Sequence, residues 1–184
     1  MLLASSMNTL AASLEGHLFD DVLRMAEQDI RLNGLGIRKV LFIKGYIAGI
    51  YLPQKANSYS RIANMPGPKR LQIKMLRSAT ATDFIDAMVA GIRQNSDAGE
   101  LDAIAAQVEQ LKRAMLLSHA VAAGDLIQFD YLPGEGTVLR INGVTRSPAL
   151  AGADFYNAIL KIFIGPYPVD NGLKQGLLGE SNAL

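Results

Sequence analysis

Residues 32–53, LNGLGIRKVLFIKGYIAGIYLP, decide how the rest of the chain is read. From Ile37 to Leu52 the run is rich in Ile, Val, Phe and Tyr, is broken by Gly45 and Gly49, and is stopped by Pro53. Such density of β-branched and aromatic residues favours a strand, and the glycines let it bend, so one long curved strand is expected. Ahead of it, Asn33-Gly34 is a turn signal, and Gly34-Leu-Gly36 is a glycine-spaced corner that delivers Arg38 and Lys39. Strand parity puts Tyr46 and Tyr51 on opposite faces. Lys44 shares the parity of Tyr46, and its ammonium needs a sheet edge or a partner.

Outward from this stretch, Val22 to Leu32 reads as two short strands around Glu27-Gln28. Residues 53–68 form a Pro- and Gly-rich surface connection in which Tyr59 to Met65 has room for one or two helical turns. Arg70 to Lys74 alternates, with Leu71, Ile73 and Met75 opposite Arg70, Gln72 and Lys74, which is the pattern of a half-buried strand. Thr80 and Asp83 have capping-box spacing ahead of Phe84, Ile85, Met88, Val89 and Ile92, predicting a helix over 82–94. Asp97 and Glu100 repeat that spacing ahead of Leu101, Ile104, Val108, Leu111 and Met115, a longer helix expected to run to a C-cap at Gly124. Ile127, Phe129 and Tyr131, the loop 133–136 and the Asn142-Gly143 turn predict a three-strand meander ending near Ser147. Asp154 is the expected N-cap of a helix bearing Phe155, Ile159, Ile162 and Phe163, and a last helix is expected over 170–178. Strands in runs and helices in pairs, without βαβ alternation, make the class α+β, an antiparallel sheet with helices on one face.

Composition narrows the function. The chain has 184 residues, 18 Lys and Arg against 17 Asp and Glu, two His, and no Cys or Trp. That length corresponds to one domain with its own core. A net charge of +1 argues against a nucleic-acid binder held by phosphates. Without cysteine there is no disulfide frame, thiolate zinc site, iron–sulfur cluster or cysteine nucleophile. His17 and His119 cannot build a three-histidine metal centre, and no cofactor is expected. No run reaches the roughly 18 apolar residues of a membrane-spanning helix, so no integral membrane segment is expected. Met1 to Leu14 carry no charge and read as a secretory-leader remnant or a flexible N-terminus, with 15–184 as a single domain.

Individual residues are read against their plainer roles. Gly34-Leu-Gly36 lacks the third glycine and the following helix of a dinucleotide fingerprint, so nucleotide binding is rejected. Arg38 is a surface arginine unless it is buried, in which case it needs an anionic or carbonyl partner. His119, four residues after Met115, reads as a boundary histidine rather than a ligand, and His17 with Asp20 and Asp21 is a weak metal constellation. Lys69, Arg70, Lys74 and Arg77 read as a solvated basic face.

Taken in order, LNGLGIRKVLFIKGYIAGIYLP, PKRLQIKMLRSATATDF, DYLPGEGTVLRINGV, ADFYNAILKIFIG and VDNGLKQGLLG resemble the bacterial chalcone isomerase-like family. That family is related to plant chalcone isomerases and to plant fatty-acid-binding proteins of the same fold. The resemblance spans about residues 15–179 and implies an open-faced β-sandwich with a ligand cleft between sheet and helices. The isomerases close a flavanone ring by attack of a phenolate on an enone, using an arginine, threonines, a tyrosine and an asparagine. Arg38 matches that arginine. Tyr46 stands at a threonine position, as in the fatty-acid-binding branch, while Phe84 and Gly91 fall at the catalytic tyrosine and asparagine and Ile162 at the late threonine. The resemblance therefore implies a cleft whose reacting groups have become apolar, with Met88 beside Phe84 in its lining.

A cleft of that kind leads to the expectation of a non-catalytic binding protein that holds an apolar anionic small molecule such as a fatty acid. Arg38 would pair with the carboxylate and Tyr46 would donate to it, while Phe84, Met88 and Ile162 bury methylenes worth about 0.8 kcal/mol each. One alternative is an isomerase acting on an enone with Arg38 as electrophilic stabiliser. Another is a structural or partner-binding protein with a filled interior. The leader-like start and the exported look of the family lead to the expectation of a periplasmic or exported protein, whose oligomeric state the sequence leaves open.

Overall fold

The computed structural model of the chain describes residues 11–118 and 120–180. The reading of His119, and that of Met1 to Leu10 within the leader-like stretch, lie outside the described residues. In chain order the elements are β1 (Ala11–Leu14), β2 (His17–Asp20), β3 (Val22–Met25), β4 (Gln28–Val40), β5 (Ile43–Leu52), α1 (Tyr59–Ala63), β6 (Lys69–Met75), β7 (Ala79–Thr80), α2 (Ala81–Gln94) and α3 (Ala98–Leu116). They continue with β8 (Ala120–Val121), β9 (Leu126–Leu132), β10 (Gly136–Ile141), β11 (Val144–Thr145), α4 (Ala153–Ile164) and α5 (Asn171–Leu177).

A seven-stranded antiparallel sheet in the order β11-β10-β9-β6-β5-β4-β3 forms the body. One face carries the helices over a continuous core that includes Leu71, Ile73 and Met75 of β6, Phe84, Met88 and Ile92 of α2, and Phe155, Ile159 and Phe163 of α4. The other face is covered by the β1–β2 hairpin, which seats Phe19 against Ile30, Leu32, Ile47 and Tyr51. Tyr46 packs on the helix side and Tyr51 on the hairpin side, as strand parity requires. Ala11–Leu14, read with the leader-like stretch, is paired residue for residue with β2.

Two departures from the sequence reading occur in the opening stretch. Ile37 to Leu52 is not one bent strand but the two arms of a hairpin that reverses at Leu41-Phe42, with Leu41 at φ 55°. Nothing in the sequence marks that turn with Gly or Asn, and its residues Val40 to Ile43 are more than half exposed, Phe42 fully. Asn33-Gly34 is not a turn but a bulge within β4, where the register steps from Leu32 to Gly34. The chain reverses just before β4, at Ala26 and Glu27, both with positive φ, where the sequence divides Val22 to Leu32 into two strands.

The bulge has a purpose in packing. It turns the Asn33 side chain inward, where Nδ2 donates to the carbonyls of Ala56 and Leu177 at 2.9 and 2.8 Å and Oδ1 accepts from Ala56 N at 2.8 Å. The glycines around it let α5 lie directly on the strand. A Cβ on Gly36 would come within 2.6 Å of the Leu173 carbonyl, and one on Gly34 would collide with the carbonyl of Gly176. A second register step, at Gly45, puts Lys39 opposite Lys44 and breaks the shared parity of Lys44 with Tyr46. Lys44 turns toward the hairpin and pairs with Glu15 at 2.6 Å.

The helices α2 and α3 start at the caps their sequences carry. Asp83 N donates to Thr80 Oγ1 at 3.0 Å, and α3 has a complete capping box between Asp97 and Glu100. However, α3 ends at Leu116 rather than at Gly124, because the chain after it pairs with β7 as β8. The N-cap of α4 is Gly152, and Asp154 sits in the first turn.

Arg77 is exposed and Lys74 half-buried, as a solvated basic face requires, but Lys69 and Arg70 are not part of such a face. Lys69 is 3% exposed, and Arg70 grips the buried Asp130 through Nε and Nη2 at 2.6 and 2.7 Å, with Arg140 Nε on the same carboxylate at 3.1 Å. Beside this pair, Gln72 and Gln128 bond each other at 3.1 Å under the hairpin. Strand β6 is thus buried on both faces, which alternation of residue type cannot distinguish from a half-buried strand.

Candidate functional site

Arg38 near the end of β4 and Tyr46 at the start of β5 are register partners on the helix side of the sheet. The Tyr46 ring meets Phe163 of α4 edge-on, with centroids 6.4 Å apart and planes at 66°. Burial pushes its phenol well above the usual tyrosine range, against a downward pull from Arg38 and with an upward push from Asp170. The hydroxyl therefore stays protonated and able to donate.

Asp170, the N-cap of α5, lies against the guanidinium. Arg38 Nη1 donates to Asp170 Oδ2 at 3.4 Å and to the Lys39 carbonyl at 2.7 Å. Lys39 N also donates to Oδ2, at 3.2 Å, while Oδ1 caps Leu173 N at 2.9 Å. Among the described residues, Nε and Nη2 of Arg38 have no protein acceptor. The guanidinium thus has one arm engaged and the other free, with its side chain 26% exposed.

Phe84 and Met88 of α2 and Ile162 of α4 lie in the core against whose edge Tyr46 packs, at 8%, 4% and 3% exposure. Gly91, one helical turn beyond Met88, meets Ile162 directly, and a Cβ there would stand 2.8 Å from Ile162 Cγ2. Phe84, Met88 and Ile162 are absent from the walls of the cavity bordering this corner and of four others on the described residues. The cavity bordering this corner, about 370 Å³, is lined by Leu14 of the N-terminal hairpin, Leu35, Ile37 and Lys39 of β4, Asp170 at the start of α5 and Gly176 within it. No three His, Cys, Asp or Glu gather as a metal site requires among the described residues.

Sequence reasoning misses Asp170 as a partner of Arg38. Its only signal is a helix-start carboxylate, and that says nothing about a strand 132 residues earlier. It also misses Lys69, which its sequence neighbours group with the surface cations.

Chemically, the corner offers a guanidinium arm and a neutral phenol at the end of a sheet whose helix side is apolar. A curled antiparallel sheet of seven strands, helices on one face and a short hairpin on the other, is the α+β architecture of chalcone isomerase-fold proteins. The chain belongs to the chalcone isomerase-like family, whose model matches residues 11–179. A fatty-acid binding protein of Arabidopsis thaliana has a similar structure, with a TM-score of 0.68 at 15% identity over 92% of this chain and 96% of that one. No curated protein matches the chain by sequence.

Proposed function

We propose that the protein is a non-catalytic binding module that holds an apolar small molecule with an anionic head, such as a fatty acid. The observation that carries this reading is the half-engaged Arg38. A carboxylate, that of Asp170, already lies on one arm of the guanidinium, and the register-paired Tyr46 offers a protonated hydroxyl next to it. A ligand carboxylate would take the free Nε and Nη2 and accept from Tyr46. Its chain would run into the core bounded by Phe84, Met88 and Ile162, which requires α2 and α4 to part.

Ring closure of a chalcone is disfavoured by the same residues. Phe84, Gly91 and Ile162 supply no hydroxyl or amide to orient a ketone, and the space an asparagine would need at position 91 is filled by Ile162. A filled-core structural role is the second reading, favoured by the burial of Phe84, Met88 and Ile162. In the binding reading the protein acts in the periplasm or cell envelope, which fractionation of cells making the full chain would test.

Calorimetry of delipidated protein with dodecanoate, for wild type and Arg38→Ala, tests the proposal, with a chalcone absorbance assay on the same sample. Saturable binding weakened by Arg38→Ala, without turnover, supports it. Absence of binding in both proteins overturns it in favour of the filled core, and chalcone turnover overturns it in favour of the isomerase.

A further inference from the structure

At the other end of β6 a second polar cluster faces the helices. Lys69, Tyr131 and Thr137 are register partners across β6, β9 and β10. Lys69 is six strand residues from Met75, the partner of Tyr46, so about 20 Å separates this row from the Arg38 corner. The Lys69 ammonium lies 4.8 Å from the centroid of the Tyr131 ring, and Tyr156 of α4 stacks on the same ring at 5.3 Å and 31°.

The cluster holds a cation and a hydroxyl that have no charged partner among the described residues. Lys69 makes no ion pair among the described residues, and burial, with no carboxylate to offset it, lowers its affinity for a proton. The hydroxyls of Tyr156 and Thr137 are buried without a hydrogen-bond partner. Buried cations are nearly always paired and buried hydroxyls nearly always bonded, so an unpaired Lys69 and an unbonded Tyr156 hydroxyl on one cavity leave a place for an anion. A cavity of about 280 Å³ opens there, bounded by Lys69, Tyr131 and Tyr156, by the amides of Asn64 and Asn157, and by the apolar Met65 and Pro133. That volume lies just under the range of about 300–1,000 Å³ typical of drug-sized ligands, so the occupant is small.

We propose that this cavity is a binding site for a small organic monocarboxylate, separate from the Arg38 corner. Its carboxylate sits at the Lys69 ammonium and accepts from the Tyr156 hydroxyl. Its apolar body lies on the Tyr131 ring and against Met65 and Pro133. The two donors are worth more to an anion than to water because both are already desolvated.

The test is a titration of the full chain, with its methionine methyls isotope-labelled for NMR, using sodium benzoate and its neutral isostere benzamide. Benzoate is expected to shift the Met65 methyl saturably, with Met75 and Met88 unmoved, and benzamide to leave all three in place. Lys69→Met keeps the stem and is expected to weaken benzoate about tenfold or more, Tyr156→Phe about threefold or more. No saturable shift at millimolar benzoate, an equal response to benzamide, or wild-type affinity in Lys69→Met overturns the proposal. The benzamide comparison and Tyr156→Phe decide it even if Lys69→Met does not fold.

Discussion

Asp170 holds Arg38 and heads α5 with the same carboxylate, one oxygen 3.4 Å from Arg38 Nη1 and the other 2.9 Å from Leu173 N. In the proposed function this carboxylate competes with the ligand's. Asp170→Asn keeps an oxygen for the cap but removes the charge, and is expected to tighten dodecanoate binding by about tenfold. Asp170→Ala loses the cap as well and is expected to cost about 1–2 kcal/mol in denaturant melts. Unchanged affinity in Asp170→Asn would detach Asp170 from the site.

The same residue gives an acid signature. Burial alone would raise the Asp170 carboxyl, but the N–H groups of Leu173 and Lys39 and the Arg38 guanidinium outweigh it and hold it below its ordinary range. A depressed folded-state value means stability that is present above about pH 3.9 and lost as the pH falls through and below it. Thermal melts between about pH 6 and about pH 3 should therefore fall more steeply for the wild type than for Asp170→Asn.

Gly91 and Ile162 are coupled by contact. Gly91→Ala puts a Cβ 2.8 Å from Ile162 Cγ2 and is expected to destabilise by about 1–3 kcal/mol. Ile162→Ala alone should cost about 2–5 kcal/mol. Because it removes the atoms that clash, the double variant should be less destabilised than the two single losses combined, which urea denaturation of all four proteins measures.

Asn33 ties three segments together. Asn33→Ala leaves the carbonyls of Ala56 and Leu177 and the N–H of Ala56 without their partner, and a loss of about 3 kcal/mol or more is expected. Hydrogen exchange at the Ala56 amide should accelerate by more than the global loss predicts.

Lys69→Met should not destabilise. Removing a buried ammonium without a carboxylate partner while keeping the stem on Tyr131 is expected to be neutral or stabilising, by up to about 2 kcal/mol. Since burial lowers the folded-state value, the unfolded chain binds the proton more tightly. Wild-type stability then rises with pH on the approach to the ordinary lysine value near 10.4, and the variant should lack that rise.

Much of the fold was legible because it depends on near neighbours. The caps at Thr80 and Asp97 are local donors and acceptors, and the Leu71-Ile73-Met75 alternation is a property of one strand. The hairpin at Leu41-Phe42 was not legible, because its turn uses a left-handed Leu in place of Gly or Asn. Nor were the bulges at Asn33 and Gly45, each of which shifts every later residue by one place in the pairing. At the candidate site, Arg38 and Tyr46 came from resemblance to a family, while Asp170 and Lys69 were hidden, since an ion pair across 132 residues has no local pattern.

By itself the sequence determined the α+β class, the starts of α2 and α3, and the opposite faces of Tyr46 and Tyr51, because periodicity and capping act within a few residues. Only the tertiary structure decided which carboxylate meets Arg38, that Gly91 and Ile162 close on each other, and that Lys69 is buried without a partner among the described residues. Those facts depend on what covers each face of the sheet, and that is set by the packing of segments far apart in the chain.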